Sequence, residues 1–152
     1  MALPYHHTQR GRVMVASFGV GALMLLLGLT SALKSGTAPA GAVAGLAVAF
    51  VIFLVVGWWF SSMTIEVSAD ELRWHFRPSR GYRIARAEIE SAQVVRHPWW
   101  SGYGIRFRGL NRRIYIVAGR DAVEVRLRDG GWRRLGTDDP QGLLAALNAG
   151  AR

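Results

Sequence analysis

The chain has 152 residues, and 19 Lys and Arg residues against 10 Asp and Glu residues give it a formal net charge of +9. It contains no cysteine, which excludes a disulfide framework, a thiolate metal site and a cysteine nucleophile. The positive field attracts anionic lipid, nucleic acid or acidic protein surfaces, and the net charge alone does not choose among them.

Two uncharged apolar segments dominate the first sixty residues, after a tail at residues 1–12 in which we expect no regular structure. They cover residues 13–33 and 40–60, and each has about the 20 residues that a helix needs to cross a ~30 Å hydrocarbon core. The loop at residues 34–39 is too short to hold a domain, so the two helices are predicted to be antiparallel neighbours. The pattern therefore predicts a transmembrane hairpin.

Flanking charges predict the orientation of this hairpin. The loop holds only Lys34, whereas arginines precede the first segment and follow the second: Arg10, Arg12, Arg73, Arg77 and Arg80. Positive residues favour the cytoplasmic side, so both termini are predicted to be cytoplasmic. Cleavage as a signal peptide after Ala38-Pro39-Ala40 is the disfavoured alternative, because a signal core is only about 7–15 residues long and here a second span follows.

Aromatic residues close the second apolar segment. Trp58, Trp59 and Phe60 stand where amphipathic rings favour the headgroup layer, and we interpret them as membrane-interface anchors. The two spans contain no ionisable residue, which disfavours a proton or ion pathway.

Small residues recur at a spacing of four in both apolar segments. They are Ser17 and Gly21 in the first, and Gly41, Gly45 and Ala49 in the second. Small residues at this spacing let helix backbones approach closely in lipid. The predicted partner is the other helix of the hairpin, and formation of a homo-oligomer is the alternative.

Residues 61–152 are predicted to form a separate, basic, mainly β domain. Apolar and polar residues alternate from residue 63 to residue 77 around a turn at Ala69-Asp70, which indicates a hairpin that covers a core. Later segments also alternate, and the tight-turn sequence Asp129-Gly130-Gly131 joins the last two of them as a predicted hairpin. We expect about seven antiparallel strands, arranged as a sandwich or partly open barrel.

A helix is predicted to close the chain. Asp138 or Asp139 suits the N-cap, Pro140 suits the first turn, and Gly150 marks the end. Leucines at residues 143, 144 and 147 share one face, so this helix should cover the sheets.

The β-rich segment resembles bacterial pleckstrin-homology-like (PH-like) domains. In that family a Gly-Ile-Arg strand, a Gly-rich hairpin and an Ile/Leu-Gly-Thr-Asp-x-Pro turn lead into a closing helix. The matching pieces here are Gly104-Ile105-Arg106, Asp129-Gly130-Gly131 and the run from Leu135 to Pro140, and residues 84–89 resemble the third strand. The resemblance covers about residues 62–149 and implies a bacterial inner-membrane protein, because the family often carries one or two adjacent membrane helices.

The resemblance says little about a ligand. Eukaryotic relatives bind phosphoinositides through basic residues on the first hairpin and its loop, and here the loop at Ala69 and Asp70 has no Lys or Arg. The sequence contains no nucleophile–base pair, no phosphate-binding glycine loop and no spacing that brings metal ligands together, so we expect neither an enzyme nor a cofactor.

Two groups of residues are candidates for a lipid-binding or partner-binding surface. One is the aromatic pair Trp99 and Trp100, for which closing the core is an equally good interpretation. The other comprises arginines that alternation places facing outward, where they could equally form an ordinary solvated face: Arg73, Arg77, Arg83, Arg106, Arg108, Arg126 and Arg128. The expected function is contact with anionic lipid headgroups, the alternative is a scaffold for a protein partner, and nucleic acid is disfavoured.

Overall fold

The computed structural model describes residues 5–98 and 102–149. In chain order it contains β1 (Tyr5–Arg10), α1 (Arg12–Ser35), α2 (Ala40–Trp59), β2 (Ser62–Val67), β3 (Glu71–Phe76), β4 (Tyr82–Ala85), a short 3-10 helix (Arg86–Glu88), β5 (Ile89–Arg96), β6 (Gly104–Phe107), β7 (Arg112–Ile116), β8 (Asp121–Leu127), β9 (Trp132–Gly136) and α3 (Pro140–Ala149).

The two apolar segments form long antiparallel helices, α1 and α2. The turn between them begins at Gly36, whose φ of 65° is a left-handed conformation that glycine adopts without steric cost. Both helices are long and apolar enough to cross a membrane. Only 6% of the most apolar window of each is buried within the molecule, so the rest of the chain does not cover them.

The contact between α1 and α2 differs from the prediction. A Cβ on Gly21 would come within 2.3 Å of the Phe53 ring, and a Cβ on Gly57 within 2.8 Å of Phe18. Each phenylalanine therefore fills the space over a glycine of the other helix. Gly41 and Gly45 have no atom within 4 Å of such a Cβ, so the prediction that they lie at this contact is wrong.

Two further small residues, Ser17 and Ala49, were predicted to lie at the contact between α1 and α2. Ser17 is exposed and Ala49 is half-buried. Bulky aromatic rings, rather than a run of small side chains, determine how closely the helices approach. A role for Gly41 and Gly45 between copies of the chain stays a prediction.

The first sheet has the order β1-β2-β3-β4 and is antiparallel throughout. Its edge strand, β1, comes from the segment in which no regular structure was expected. Residues 5–10 pair with β2 from Tyr5↔Val67 to Arg10↔Ser62. The β domain therefore includes a strand that precedes the helices, and α1 and α2 are an insertion between two neighbouring strands.

The second sheet has the order β5-β8-β9-β7-β6 and is mainly antiparallel, as predicted. The exception is the parallel pair of β7 and β9. It arises because two hairpins, β6–β7 and β8–β9, lie side by side in the sheet. The turn of the second hairpin contains Gly130 with a φ of 80°, where the sequence predicted a tight turn.

The core lies between the two sheets. The predicted alternation of the first hairpin is confirmed, since its inward residues are at most 3% exposed: Met63, Ile65, Val67, Leu72, Trp74 and Phe76. Trp74 meets the Tyr115 ring of the second sheet edge-on, with ring centroids 5.1 Å apart. Such aromatic pairs add to the free energy gained by burial.

Helix α3 closes the sandwich, with Leu143 and Leu147 buried. Its N-cap is Asp139, whose side chain accepts a hydrogen bond from the Gly142 N–H at 3.0 Å. At the other end, the Arg86 guanidinium donates hydrogen bonds to the carbonyl oxygens of Ala146 and Leu147. These carbonyls have no partner within the helix, so Arg86 fixes its last turn.

Candidate functional site

The ends of α1 and α2 that meet the β domain are tied directly to it. The Gly11 N–H donates a hydrogen bond to the Ser61 carbonyl oxygen at 2.8 Å, which continues the pairing of β1 and β2 up to the helices. A Cβ on Gly11 would lie 2.8 Å from the Val117 carbonyl oxygen, so only glycine fits this junction. The helices therefore leave the β domain without a flexible linker.

The three aromatic residues at the end of α2 have different surroundings. Trp58 and Trp59 are 51% and 40% exposed, and their role as interface anchors stays a prediction. Phe60 is half-buried and packs on Phe76, with ring centroids 5.2 Å apart. Phe60 therefore belongs to the core of the β domain, because the chain turns into β2 immediately after it.

The outer face of the first sheet presents polar residues in rows across its strands. The row nearest the helices contains the register partners Arg10 and Ser62. It also contains Arg77, because Arg77 is the residue after Phe76, the register partner of Met63. The next row contains Thr8, Thr64 and His75. Sequence reasoning used Arg10 only for orientation, because its place on this face depends on β1.

The third row lies farthest from the helices. It contains His6, Glu66, Arg73 and Arg83 as cross-strand neighbours. The Arg73 guanidinium is 3.0 Å from the Glu71 carboxylate, and His6 is 3.5 Å from Glu66. Positive charge in this row is thus partly balanced by carboxylates.

The other predicted arginines lie on the second sheet, so the seven do not form one surface. Arg106 and Arg108 are exposed at the edge formed by β6, whereas Arg126 lies on β8 and is separated from them by β9 and β7. The Arg128 side chain donates to the Ala87 carbonyl oxygen at 2.9 Å and holds the end of β8 to the 3-10 helix. Period-two alternation in the sequence predicts which face of a sheet a residue occupies, but it does not predict which of the two sheets the strand joins.

A polar cluster that sequence reasoning missed surrounds Glu124 on the outer face of β8. Glu124 is 6% exposed and accepts hydrogen bonds from Arg134 at 2.7 Å and from Gln93 at 3.3 Å. Burial alone would raise the pKa of this carboxyl, but the bond and charge of Arg134, with Gln93 and Arg126, outweigh it and lower the pKa. The Arg134 guanidinium also lies 5.1 Å from the centre of the Trp132 ring.

His97 is also buried, at 3% exposed, near this cluster. Burial lowers its pKa, and the charge of Arg134 lowers it further. Within residues 5–98 and 102–149, no three His, Asp or Glu side chains come together in a group that could hold a metal ion.

Trp99 and Trp100, the predicted aromatic contact pair, lie outside the described residues. Comparison of the chain with protein-family models, with curated proteins and with solved structures finds no match.

The candidate site comprises the outer face of the first sheet, beside the ends of α1 and α2, because the polar rows of this face reach the helix ends.

Proposed function

We propose that the chain is a non-catalytic, membrane-anchored module of the bacterial inner membrane. In this proposal α1 and α2 cross the bilayer as a hairpin, and a PH-like β domain contacts anionic lipid at the cytoplasmic surface. The observation that carries it is that the chain leaves the apolar surface of both helices uncovered.

The cost of exposing these helices to water supports the membrane anchor. Val20, Leu23 and Met24 are 59%, 52% and 64% exposed in the isolated chain. Burying a side chain of this kind is worth roughly 1.5–3 kcal/mol, and each helix carries many of them. A bilayer removes this surface from water, and helices satisfy their own backbone hydrogen bonds there.

The junction supports the proposed topology. Because β1 and β2 pair beside the ends of both helices, a hairpin that crosses the membrane keeps the N-terminal strand and the β domain on one side. The flanking arginines favour the cytoplasmic side. The PH-like assignment draws support from the positions of the matching pieces, which fall on β6, on the β8–β9 turn and on the turn into α3.

Topology and lipid contact are tested on the full chain. Because the chain has no cysteine, Ser35→Cys and Ser91→Cys each supply a single thiol. We expect an impermeant thiol reagent to label intact cells at residue 35 but not at residue 91. Chain extracted in neutral detergent should retain phosphatidylglycerol over phosphatidylcholine, and the enrichment should fall as salt rises. Labelling at residue 91 alone, or no enrichment at low salt, contradicts the proposal.

A scaffold for a protein partner is the second candidate, and the edge of the second sheet favours it. Strand β6 is an edge strand whose last residue, Phe107, is 69% exposed, and Leu110 beyond its end is fully exposed. Edge strands and exposed apolar residues are common docking features. Crosslinking in cells that captures one protein through Phe107→Cys, without loss at high salt, would favour this candidate over lipid contact.

A further inference from the structure

The row nearest the helices borders a cavity that the sequence does not reveal. The cavity has a volume of about 590 Å³, and its polar lining residues are Thr8, Arg10, Arg12, Ser61, Ser62 and Arg77. A smaller cavity of about 220 Å³ adjoins it and shares Thr8, Ser62 and Arg77. Three strands and the first turn of α1 therefore bring three arginines and several hydroxyl groups to one place.

Among the described residues, no carboxylate balances the charge of this cavity. No Asp or Glu lines either cavity, and in the described part of the chain none of the three arginines makes an ion pair. The carboxylate on this face of β2, Glu66, is four residues from Ser62. At ~3.3 Å per residue it lies ~13 Å away, beyond the ~8 Å Debye length. The cavity therefore favours an anion.

The hydroxyl of Ser62 has the position of a ligand-binding group. Ser62 is only 9% exposed and lines both cavities. The neighbouring hydroxyls are already engaged, since Thr8 bonds Thr64 at 2.8 Å and Ser61 donates to the Trp58 carbonyl oxygen at 2.7 Å. Among the described residues we find no hydrogen bond to the Ser62 hydroxyl. The Ser62 hydroxyl is therefore available to donate a hydrogen bond to an anion oxygen.

An apolar groove continues from the basic cavity along the helices. It has a volume of about 280 Å³ and shares Val15 and Ser61 with the cavity. Its walls come from both helices and include Phe18, Phe53 and Trp58. A phosphate at the arginines and a hydrocarbon chain in this groove would together match a phospholipid.

We propose that this composite site binds one anionic phospholipid. Arg10, Arg12 and Arg77 contact the phosphate, Ser62 donates a hydrogen bond to it, and one acyl chain lies in the groove between α1 and α2. The inference rests on the membrane anchor of the proposed function, and it narrows a diffuse lipid contact to one site. A free phosphate shares the headgroup chemistry but leaves the groove empty.

The test uses the full chain in neutral detergent and titrates three probes: phosphatidylglycerol, phosphatidylcholine and inorganic phosphate. Bound lipid is counted by native mass spectrometry, and Tm is measured in parallel. We expect one tightly held phosphatidylglycerol per chain. Arg10→Gln and Arg77→Gln should each weaken it about tenfold, the loss of one charge-assisted hydrogen bond. Arg77→Lys should recover part of this loss, because it restores the charge but not the bidentate geometry.

Arg106→Gln and Arg112→Gln remove the same charge on the second sheet, outside the cavity, and are the matched controls. They should leave the tightly held lipid unchanged. If inorganic phosphate binds as tightly as the lipid, and Arg77→Gln weakens both equally, the anion site is upheld and the acyl groove is overturned. Lipid binding that falls in the controls but not in the cavity variants would overturn this site and leave the proposed function intact. Absence of any preference for phosphatidylglycerol would overturn both.

Discussion

Glu124 lies at the centre of a polar cluster on the outer face of β8. Alternation along β8 places it on the outward face, yet its carboxylate is buried because Arg134 and Gln93 of the flanking strands cover it. Hydrogen bonds to a charged group are worth about 1.5–3 kcal/mol. The cluster stabilises the pairing of β5, β8 and β9 at the surface of the second sheet.

We predict that Glu124→Gln destabilises the β domain in a pH-dependent way. The pKa of Glu124 is lowered in the folded chain, so its charge stabilises fully above about pH 4.5, the unfolded value, and this stability is lost as pH falls through the folded pKa. At pH 7 the variant should lose on the order of 2 kcal/mol in free energy of unfolding, and less at pH 3. Thermal unfolding followed by near-UV circular dichroism measures both.

Glu90→Gln is the control for this prediction, because Glu90 is exposed and makes no ion pair in the described part of the chain. It should change the free energy of unfolding by no more than about 0.5 kcal/mol at either pH. An equal loss for Glu124→Gln at pH 7 and pH 3 would show that the negative charge of Glu124 does not stabilise the cluster.

At the level of elements, the contact between α1 and α2 depends on how each helix is rotated about its axis. The recurrence of small residues at every fourth position identified Gly21 correctly. It also selected Gly41 and Gly45, which do not face the other helix. The spacing defines stripes on each helix, and the rotation of the helices decides which stripe faces inward. Here the rings of Phe18 and Phe53 decide it.

We predict that Gly21→Ala loosens the hairpin, since the added methyl group would overlap the Phe53 ring. Overpacking of this kind costs about 1–3 kcal/mol. Gly45→Ala adds the same methyl group where no atom lies within 4 Å and should cost nothing. Resistance of the full chain to unfolding in mixed detergent distinguishes the two variants. Equal resistance of both variants would contradict the Phe–Gly contacts.

For the whole molecule, the pairing of β1 with β2 means that the helix hairpin and the β domain cannot be separated by one cut. A fragment beginning at residue 61 loses β1, whose Gln9 is 1% exposed and donates a hydrogen bond to the Gly136 carbonyl oxygen. The same strand places the Tyr5 hydroxyl 3.2 Å from Asp139, the N-cap of α3. Strand β1 therefore joins the first sheet to the closing helix.

We predict that replacing residues 12–60 by a short Asn-Gly turn yields a soluble β domain that still folds, although it loses the Phe60–Phe76 contact. The ends to be joined already meet, because the Gly11 N–H donates to the Ser61 carbonyl oxygen at 2.8 Å, and Asn-Gly favours a two-residue hairpin. A fragment of residues 61–152 is the comparison and should have a lower Tm and exchange the amide hydrogens of β2 faster. Equal stability of the two chains would show that β1 contributes nothing to the fold.

The sequence by itself determined the features that depend on neighbouring residues. Apolar length predicted α1 and α2, period-two alternation predicted the inward face of β2 and β3, and cap chemistry narrowed the start of α3 to two aspartates. These signals are local, because helix periodicity, strand pleating and capping are fixed within a few residues.

The tertiary structure alone decided which residues far apart in the chain share a surface. Arg10 and Arg77 are separated by both helices in sequence, and they line one cavity only because β1, β2 and β3 pair in a particular register. A polar strand such as residues 5–10 has little apolar pattern of its own, and its partner strand supplies the hydrogen bonds that order it. Pairing across fifty residues has no local signature, so the fold had to be known before the site could be found.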